Sequence, residues 1–269
     1  MGWEQRTTCT KRQILMSFID IVIVGLVALP LLLFNQLATP FHRGFFCDDE
    51  SIRYPYKDST ISSSVLYSVG FVCNILAKQA GRLGNESTNY QQHPEQQNDQ
   101  SKSVNHYFCA VFTILLPFMF GATIEHLTTD IAKYQIGRLR PHFIDVCKPD
   151  YSSFSCNDTI GYRYVEDDVC TGDKKLLREA RLSFPSGHAS FSSYAMVFLV
   201  LYIQYKFTWK KVVLLKPLLQ VLFLYMTYYT CLSRVSDNKH HWSDVLFGAL
   251  IGFDIYDEIA NEEELPFLS

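Results

Sequence analysis

The chain has 269 residues, 48% of them hydrophobic, 14% aromatic and 19% charged, with a formal net charge of −3 at pH 7. So mild a charge excludes an electrostatic nucleic-acid binder, and the charged fraction is below that of ordinary soluble domains. Eight cysteines are scattered without a C-x-x-C pair, which excludes a zinc ribbon.

A bilayer core about 30 Å thick calls for about 20 mostly apolar helical residues. Five stretches approach that length: Ile14 to Ala38, Ile61 to Ala80, Tyr107 to Leu127, Ala189 to Phe207, and Val212 to Leu232. They predict an all-α fold, a polytopic membrane helix bundle. The first run exceeds the h-region of about 7–15 residues that a cleaved signal peptide has, so it reads as a retained anchor. Asp20 within it is accounted for by a hydrogen bond between helices, so a transporter or channel reading gains little.

Arg6, Lys11 and Arg12 precede the first run and place residues 1–13 in the cytoplasm. Alternation then puts 39–60 outside, 82–106 inside, 141–184 outside, and the lysine-bearing connector at 206–211 inside. The stretch 82–106 is Gln/Asn-rich and nearly free of apolar residues, which predicts disorder. Of two glycosylation sequons, at Asn85 and Asn157, only Asn157 faces outward. Cys47, Cys147, Cys156 and Cys170 fall on the same oxidising side, where three disulfide pairings are open to them. Cys73, Cys109 and Cys231 lie in helices and read as small apolar packing residues.

Three polar clusters meet this outer face: KYQIGRLRP from Lys133 to Pro141, PSGH from Pro185 to His188, and SRVSDNKHHWSD from Ser233 to Asp244. Lys133, Arg140 and Arg234 suit a tetrahedral oxyanion, because a guanidinium can fork two N–H groups onto phosphate oxygens. Arg138 reads as a snorkelling side chain. PSGH opens a helix whose first-turn N–H groups are free for an anion. There Ser186 adds a hydroxyl and Gly187 lets the backbone come close. His240 and Asp244 are spaced i, i+4, which on a helix lets the carboxylate hold one ring nitrogen and free the other. His188 is the second imidazole, so attack on phosphorus and protonation of a leaving alkoxide both have a candidate. His241 reads as structural. His126 and Asp130 repeat the i, i+4 spacing, without an evident cationic partner set, and read as packing.

K-x6-R-P (Lys133, Arg140, Pro141), P-S-G-H (Pro185 to His188) and S-R-x5-H-x3-D (Ser233, Arg234, His240, Asp244) resemble the three signature motifs of the type 2 phosphatidic acid phosphatase superfamily. Gly44 to Ile61 and Thr129 to Phe143 are similar to the animal lipid phosphate phosphatase branch. The resemblance runs from about Ile14 to Gly252. It implies six spanning helices and a metal-independent phosphatase without cofactor, its site facing outward from the plasma membrane or secretory membranes. The implied substrates are phosphatidic acid, lysophosphatidic acid, sphingosine 1-phosphate and ceramide 1-phosphate. It implies His240 as the nucleophile that becomes phosphohistidine, Asp244 as its orienting group, and His188 as acid and then base. Lys133, Arg140, Ser186, Gly187 and Arg234 would hold the phosphate. Homo- or hetero-oligomers are compatible with it.

The sixth helix departs from this pattern. Its apolar run, Val245 to Phe253, is short and is followed by Asp254, Asp257, Glu258 and Glu262 to Glu264. Several acids are costly at a bilayer centre. The expectation is a membrane domain over 14–253 with a shortened sixth helix, then an acidic tail over 254–269. A catalytically weak lipid binder, or partner of an active homologue, is the competing reading. Soluble acid phosphatases and vanadium haloperoxidases of the same superfamily are disfavoured by the spanning stretches.

Overall fold

A computed structural model of the chain describes residues 11–92, 100–158, 161–166, 169–207 and 212–261. Arg6, residues 208–211 of the lysine-bearing connector and the tail from 262 onward, each used above, lie outside the described residues. Helices dominate: α1 (Lys11–Leu37), α2 (Ser63–Gln92), α3 (Gln100–Ile136), α4 (Phe143–Cys147), α5 (Lys174–Ala180), α6 (Gly187–Lys206), α7 (Leu215–Ser236) and α8 (Trp242–Asn261). This is the all-α bundle expected from the apolar runs. The polar stretch expected to be disordered differs: α2 extends through 82–92, and α3 already runs from Gln100. Its glutamines are good helix formers, which composition alone does not weigh.

Helix α6 is the centre, packing against α2, α3, α7 and α8. Its serines and alanines let neighbours approach, and its aromatics fill what is left. Phe118 of α3 stacks on Tyr194 at 5.5 Å and meets Phe198 edge-on at 5.3 Å, and Tyr256 of α8 completes the group. Contact with α8 depends on Gly248 and Gly252. A Cβ on either would lie 2.4 or 2.2 Å from the carbonyl oxygens of Ser186 and Ser190. This small-x3-small spacing brings two helix backbones together.

Helix α8 lacks the apolar length of a span, as expected, but the helix itself does not stop at Phe253. It continues for 20 residues, with Gly252 and Tyr256 buried and Phe253, Asp254, Asp257 and Glu258 exposed. The first of the acids are thus the outer face of an amphipathic helix rather than a tail. By length and composition one helix among the described residues is able to cross a membrane, Leu15–Phe34 of α1, with a mean hydropathy of 2.6. A shorter apolar segment is Ser63–Ala77. The outward faces of α1 and α7 are nonetheless apolar, with Phe18, Leu26, Leu32, Leu218, Tyr225 and Tyr229 more than half exposed.

A small cap covers one end of the bundle. Strand β1 (Phe45–Phe46) pairs antiparallel with β4 (Tyr164–Val165), and β2 (Asn157–Asp158) pairs with β3 (Gly161–Tyr162). Phe45, Ile52, Leu139, Phe143, Val146, Val165 and Ala180 form its core. Of the three disulfide pairings open to the sequence, the cap contains Cys47–Cys156 and Cys147–Cys170. Cys73 and Cys231 are free and partly buried. Gly137 ends α3 with φ +56°, and a Cβ there would lie 2.1 Å from the Phe41 carbonyl oxygen. Only glycine permits both that conformation and that approach.

Candidate active site

All three motifs lie where the cap meets the bundle. Main-chain bonds tie them together: Ser183 N–H to Arg138 O at 3.0 Å, and Ser186 N–H to Asp244 O at 2.9 Å. The first motif leaves α3, the second opens α6 and the third joins α7 to α8.

Ser186 is the N-cap of α6. Its hydroxyl oxygen accepts from Ala189 N–H at 3.4 Å, which leaves its own O–H to donate. Gly187 follows, and a Cβ on it would stand 3.0 Å from Lys133 Nζ. The lysine therefore lies directly over the glycine, held by Asp130 at 3.0 Å. Arg234 is 1% exposed. It donates to Ser233 Oγ, and its Nη2 reaches Asp237 Oδ2 at 3.0 Å. Arg140 anchors its main chain on Ala180 O at 2.8 Å, while its Nε is buried without a hydrogen-bond partner. Burial pulls the Arg140 guanidinium below its ordinary range, with Arg234 adding to it and Glu179 opposing. A cation so placed favours a bound anion.

The two imidazoles are oriented alike. His240 Nδ1 lies 2.7 Å from the Ser183 carbonyl oxygen. A carbonyl only accepts, so Nδ1 carries the proton and Nε2 keeps its lone pair. His188 is bonded to the backbone of Ile61, and its Nε2 is buried without a partner. Burial, and then Arg140, holds the His240 pKa well below 6.5, with Lys133 and His188 also contributing. His240 is therefore neutral, the form in which a ring nitrogen is nucleophilic.

Asp244 does not hold His240 as the spacing suggested. The two are 3.9 Å apart, because His240 lies in the turn before α8 rather than on it. Fully buried, Asp244 accepts instead from Ser183 Oγ at 2.6 Å, His241 N–H at 3.0 Å and Arg138 Nη1 at 2.5 Å. It orients His240 through Ser183, whose hydroxyl it fixes and whose carbonyl the imidazole uses. Arg138 is thus a partner of Asp244, not a snorkelling side chain. Its cation offsets a carboxylate that would otherwise be buried alone. His241 has a structural role, with Nε2 3.0 Å from Leu139 O.

Lys133, Arg140, Ser186, Gly187, His188, Arg234, His240 and Asp244 are therefore gathered at one end of the bundle, and Asn157 stands apart in β2 of the cap. The sequence reading missed Ser183, Ile61, Thr60 and Asp237. Asp237 takes Thr60 N–H and Oγ1 at 2.8 and 2.7 Å, which docks the 53–61 segment as a wall of the site. Lys57 and Pro55 reinforce this wall through Ser236 and Asn238. The i, i+3 spacing of Arg234 and Asp237 was a visible signal; the Ser183 carbonyl had none.

The PAP2 superfamily model matches residues 114–255. Phospholipid phosphatase 1 of Rattus norvegicus is 42% identical over 87% of this chain and 79% of its own length. Phospholipid phosphatase 2 of Rattus norvegicus and of Bos taurus are each 39% identical, over 90% of this chain and 83% and 80% of their own lengths. No solved structure matches the chain. With the family model covering more than half of its length and relatives aligned along nearly all of it, the chain belongs to the PAP2 superfamily, in the phospholipid phosphatase branch.

Proposed function

We propose that this chain is an integral-membrane phosphatase of lipid phosphate monoesters that works without a metal, through a phosphohistidine. The observation that carries the mechanism is the shared orientation of two imidazoles, each with one nitrogen on a backbone carbonyl, beside Lys133, Arg140 and Arg234. The phosphate enters this cradle and its oxygens take donors from the three cations, Ser186 and the first-turn N–H groups of α6. His240 Nε2 attacks phosphorus, and the bond to the lipid oxygen breaks. The phosphate dianion favours protonated His188, which gives its proton to the departing alkoxide. His188 then takes a proton from water as the hydroxide displaces His240, releasing inorganic phosphate and restoring both rings. Asp244 and Arg138 hold Ser183, and through it His240.

The apolar outer faces of α1 and α7 support a membrane setting. Two disulfides in the cap suit an oxidising compartment, so the site faces outward from the plasma or secretory membranes and Asn157 is available for glycosylation. Substrates are phosphatidic, lysophosphatidic, sphingosine and ceramide phosphates, and the chain acts alone or as an oligomer. The continuous α8, seated on α6 through Gly248 and Gly252, supports an active enzyme over an inert partner.

Purified protein with excess EDTA should release phosphate from a short-chain phosphatidic acid. Release should cease in His240→Ala. Turnover that collapses with EDTA, or persists in His240→Ala, overturns the mechanism.

A further inference from the structure

Asp237 is a buried carboxylate at the C-cap of α7. That end of a helix is negative, so the helix itself disfavours an acid there. The side chain answers to other partners. Its Oδ2 accepts from Arg234 Nη2 at 3.0 Å and from Thr60 N–H at 2.8 Å, and its Oδ1 accepts from Thr60 Oγ1 at 2.7 Å. One carboxylate thus ties a cation of the phosphate cradle to a single residue of the wall, 177 positions away in sequence.

Residues 53–62 have neither helix nor strand, so contacts with other segments fix their main chain. Tyr54 N–H bonds to Pro141 O at 2.9 Å and Tyr56 N–H to Asp145 Oδ2 at 2.8 Å. Nearest to Ile61, the bonds are those of Thr60 to Asp237. On the other side Ser62 opens the first turn of α2, its carbonyl accepting from Leu66 N–H at 3.0 Å. Thr60 and α2 between them therefore set where the Ile61 carbonyl points. His188 bonds to that backbone, and its Nε2 is buried without a partner. The aim of the ring follows from the nitrogen that is bonded. Proton transfer to a leaving oxygen depends on how the acid stands to the phosphate, and an error of about 1 Å can cost about 10²-fold. Asp237 bears on both members of that pair.

We infer that Asp237 and Thr60 are positioning residues for the general acid: through Ile61 they hold His188 in register with the phosphate that Arg234 binds. The inference rests on the phosphatase reading above and adds to it the residues that align its acid step. In that step the bond from phosphorus to the lipid oxygen breaks, the electron pair stays on oxygen, and the proton on His188 Nε2 passes to it.

The test compares two substrates in the full-length protein: a short-chain phosphatidic acid and its analogue with sulfur as the bridging atom. A thiol has an ordinary pKa of about 8.5, so the thiolate departs without a proton, whereas the alkoxide needs one. The measured quantity is kcat/KM, which covers the steps up to that departure and leaves out hydrolysis of the phosphohistidine. Thr60→Val removes the hydroxyl and keeps the N–H. There the oxygen ester should lose about tenfold, and the sulfur ester should stay within about twofold. A retained sulfur ester also reports an intact fold and cradle. Thr60→Ser should restore the oxygen ester. Asp237→Asn also loosens Arg234, so both esters should fall, the oxygen ester about tenfold further. An unchanged oxygen ester in Thr60→Val overturns the inference. So does an equal loss of the two esters in both Thr60→Val and Asp237→Asn, since the contact would then serve the fold or the phosphate alone. Wild-type protein inactive on both esters would instead overturn the phosphatase reading, and the inference with it.

Discussion

His126 with Asp130 and His240 with Asp244 have the same i, i+4 spacing, and the structure uses them differently. The first pair lies on one continuous helix, α3. Asp130 there binds Lys133 at 3.0 Å, a cationic partner the sequence reading did not assign it, and His126 packs between Tyr67 and Phe191. The second pair straddles the start of α8. His240 leans on the Ser183 carbonyl, and Asp244 gathers Ser183, Arg138 and His241. Spacing alone thus says little about which groups touch. What separates the pairs is where the helix begins, and that follows from the turn at Asn238, whose φ is +55°. Asparagine tolerates this left-handed conformation better than most residues.

Substitution can break this contrast. The largest effect should come from the imidazoles. His240→Ala should lower phosphate release by about 10³-fold or more, and His126→Ala should leave kcat within a few-fold. Equal losses in the two would dissolve the distinction. Next come the carboxylates. Asp244→Asn removes the charge that Arg138 pairs with and turns one of the two acceptor oxygens into an amide donor. It should cost about 10²-fold in kcat, together with a lower melting temperature. Asp130→Asn frees Lys133 without unseating it, so its loss should be about tenfold and mainly in KM.

A smaller loss tests whether Asp244 acts through Ser183. Ser183→Ala removes a single hydrogen bond to a charged group, worth about 1.5–3 kcal/mol, yet keeps the carbonyl that His240 uses. Activity should fall by about tenfold, with the acid limb of the pH profile moved. A shift in melting temperature alone, with kcat unchanged, would make Ser183 merely structural.

The smallest effect is on stability against pH. Burial lowers the pKa of His240 well below 6.5, and burial lowers that of His142 to about 4. The unfolded chain therefore takes up protons near pH 6.5 that the folded chain refuses. Stability should be fully present above that pH and decline as pH falls from about 6.5 toward 4. A melting temperature that rises on acidification through this window would contradict the buried, neutral state of both rings.

Much of the site was legible because its residues have distinctive chemistry. Lys133, Arg140, Arg234 and the PSGH turn announce an anion site, and the structure gathers them at one end of the bundle. Arg138 was misread because a basic residue near a helix end has an ordinary explanation, and its true partner lies 106 residues away. Ser183 was missed because the functional group is a carbonyl, which every residue has. The wall formed by Thr60 and Ile61 escaped for a similar reason: its worth lies in docking on Asp237, 177 residues on. The polar stretch at 82–106 shows the opposite failure, where composition suggested disorder and helix propensity prevailed over its described parts.

Local chemistry and periodicity were enough to establish the apolar parts of the long helices, the three motifs and the candidate side chains within them. They were not enough to say which cysteines pair, which histidine touches which acceptor, or that α8 is a full helix. Those outcomes depend on close approach between distant segments, above all Gly248 and Gly252 against the Ser186 and Ser190 carbonyls. That contact sets the distance between α6 and α8, and hence between His188 and the His240–Asp244 turn. The physical reason is packing. A hydrogen bond is decided over tenths of an ångström, and only the assembled bundle sets distances that finely.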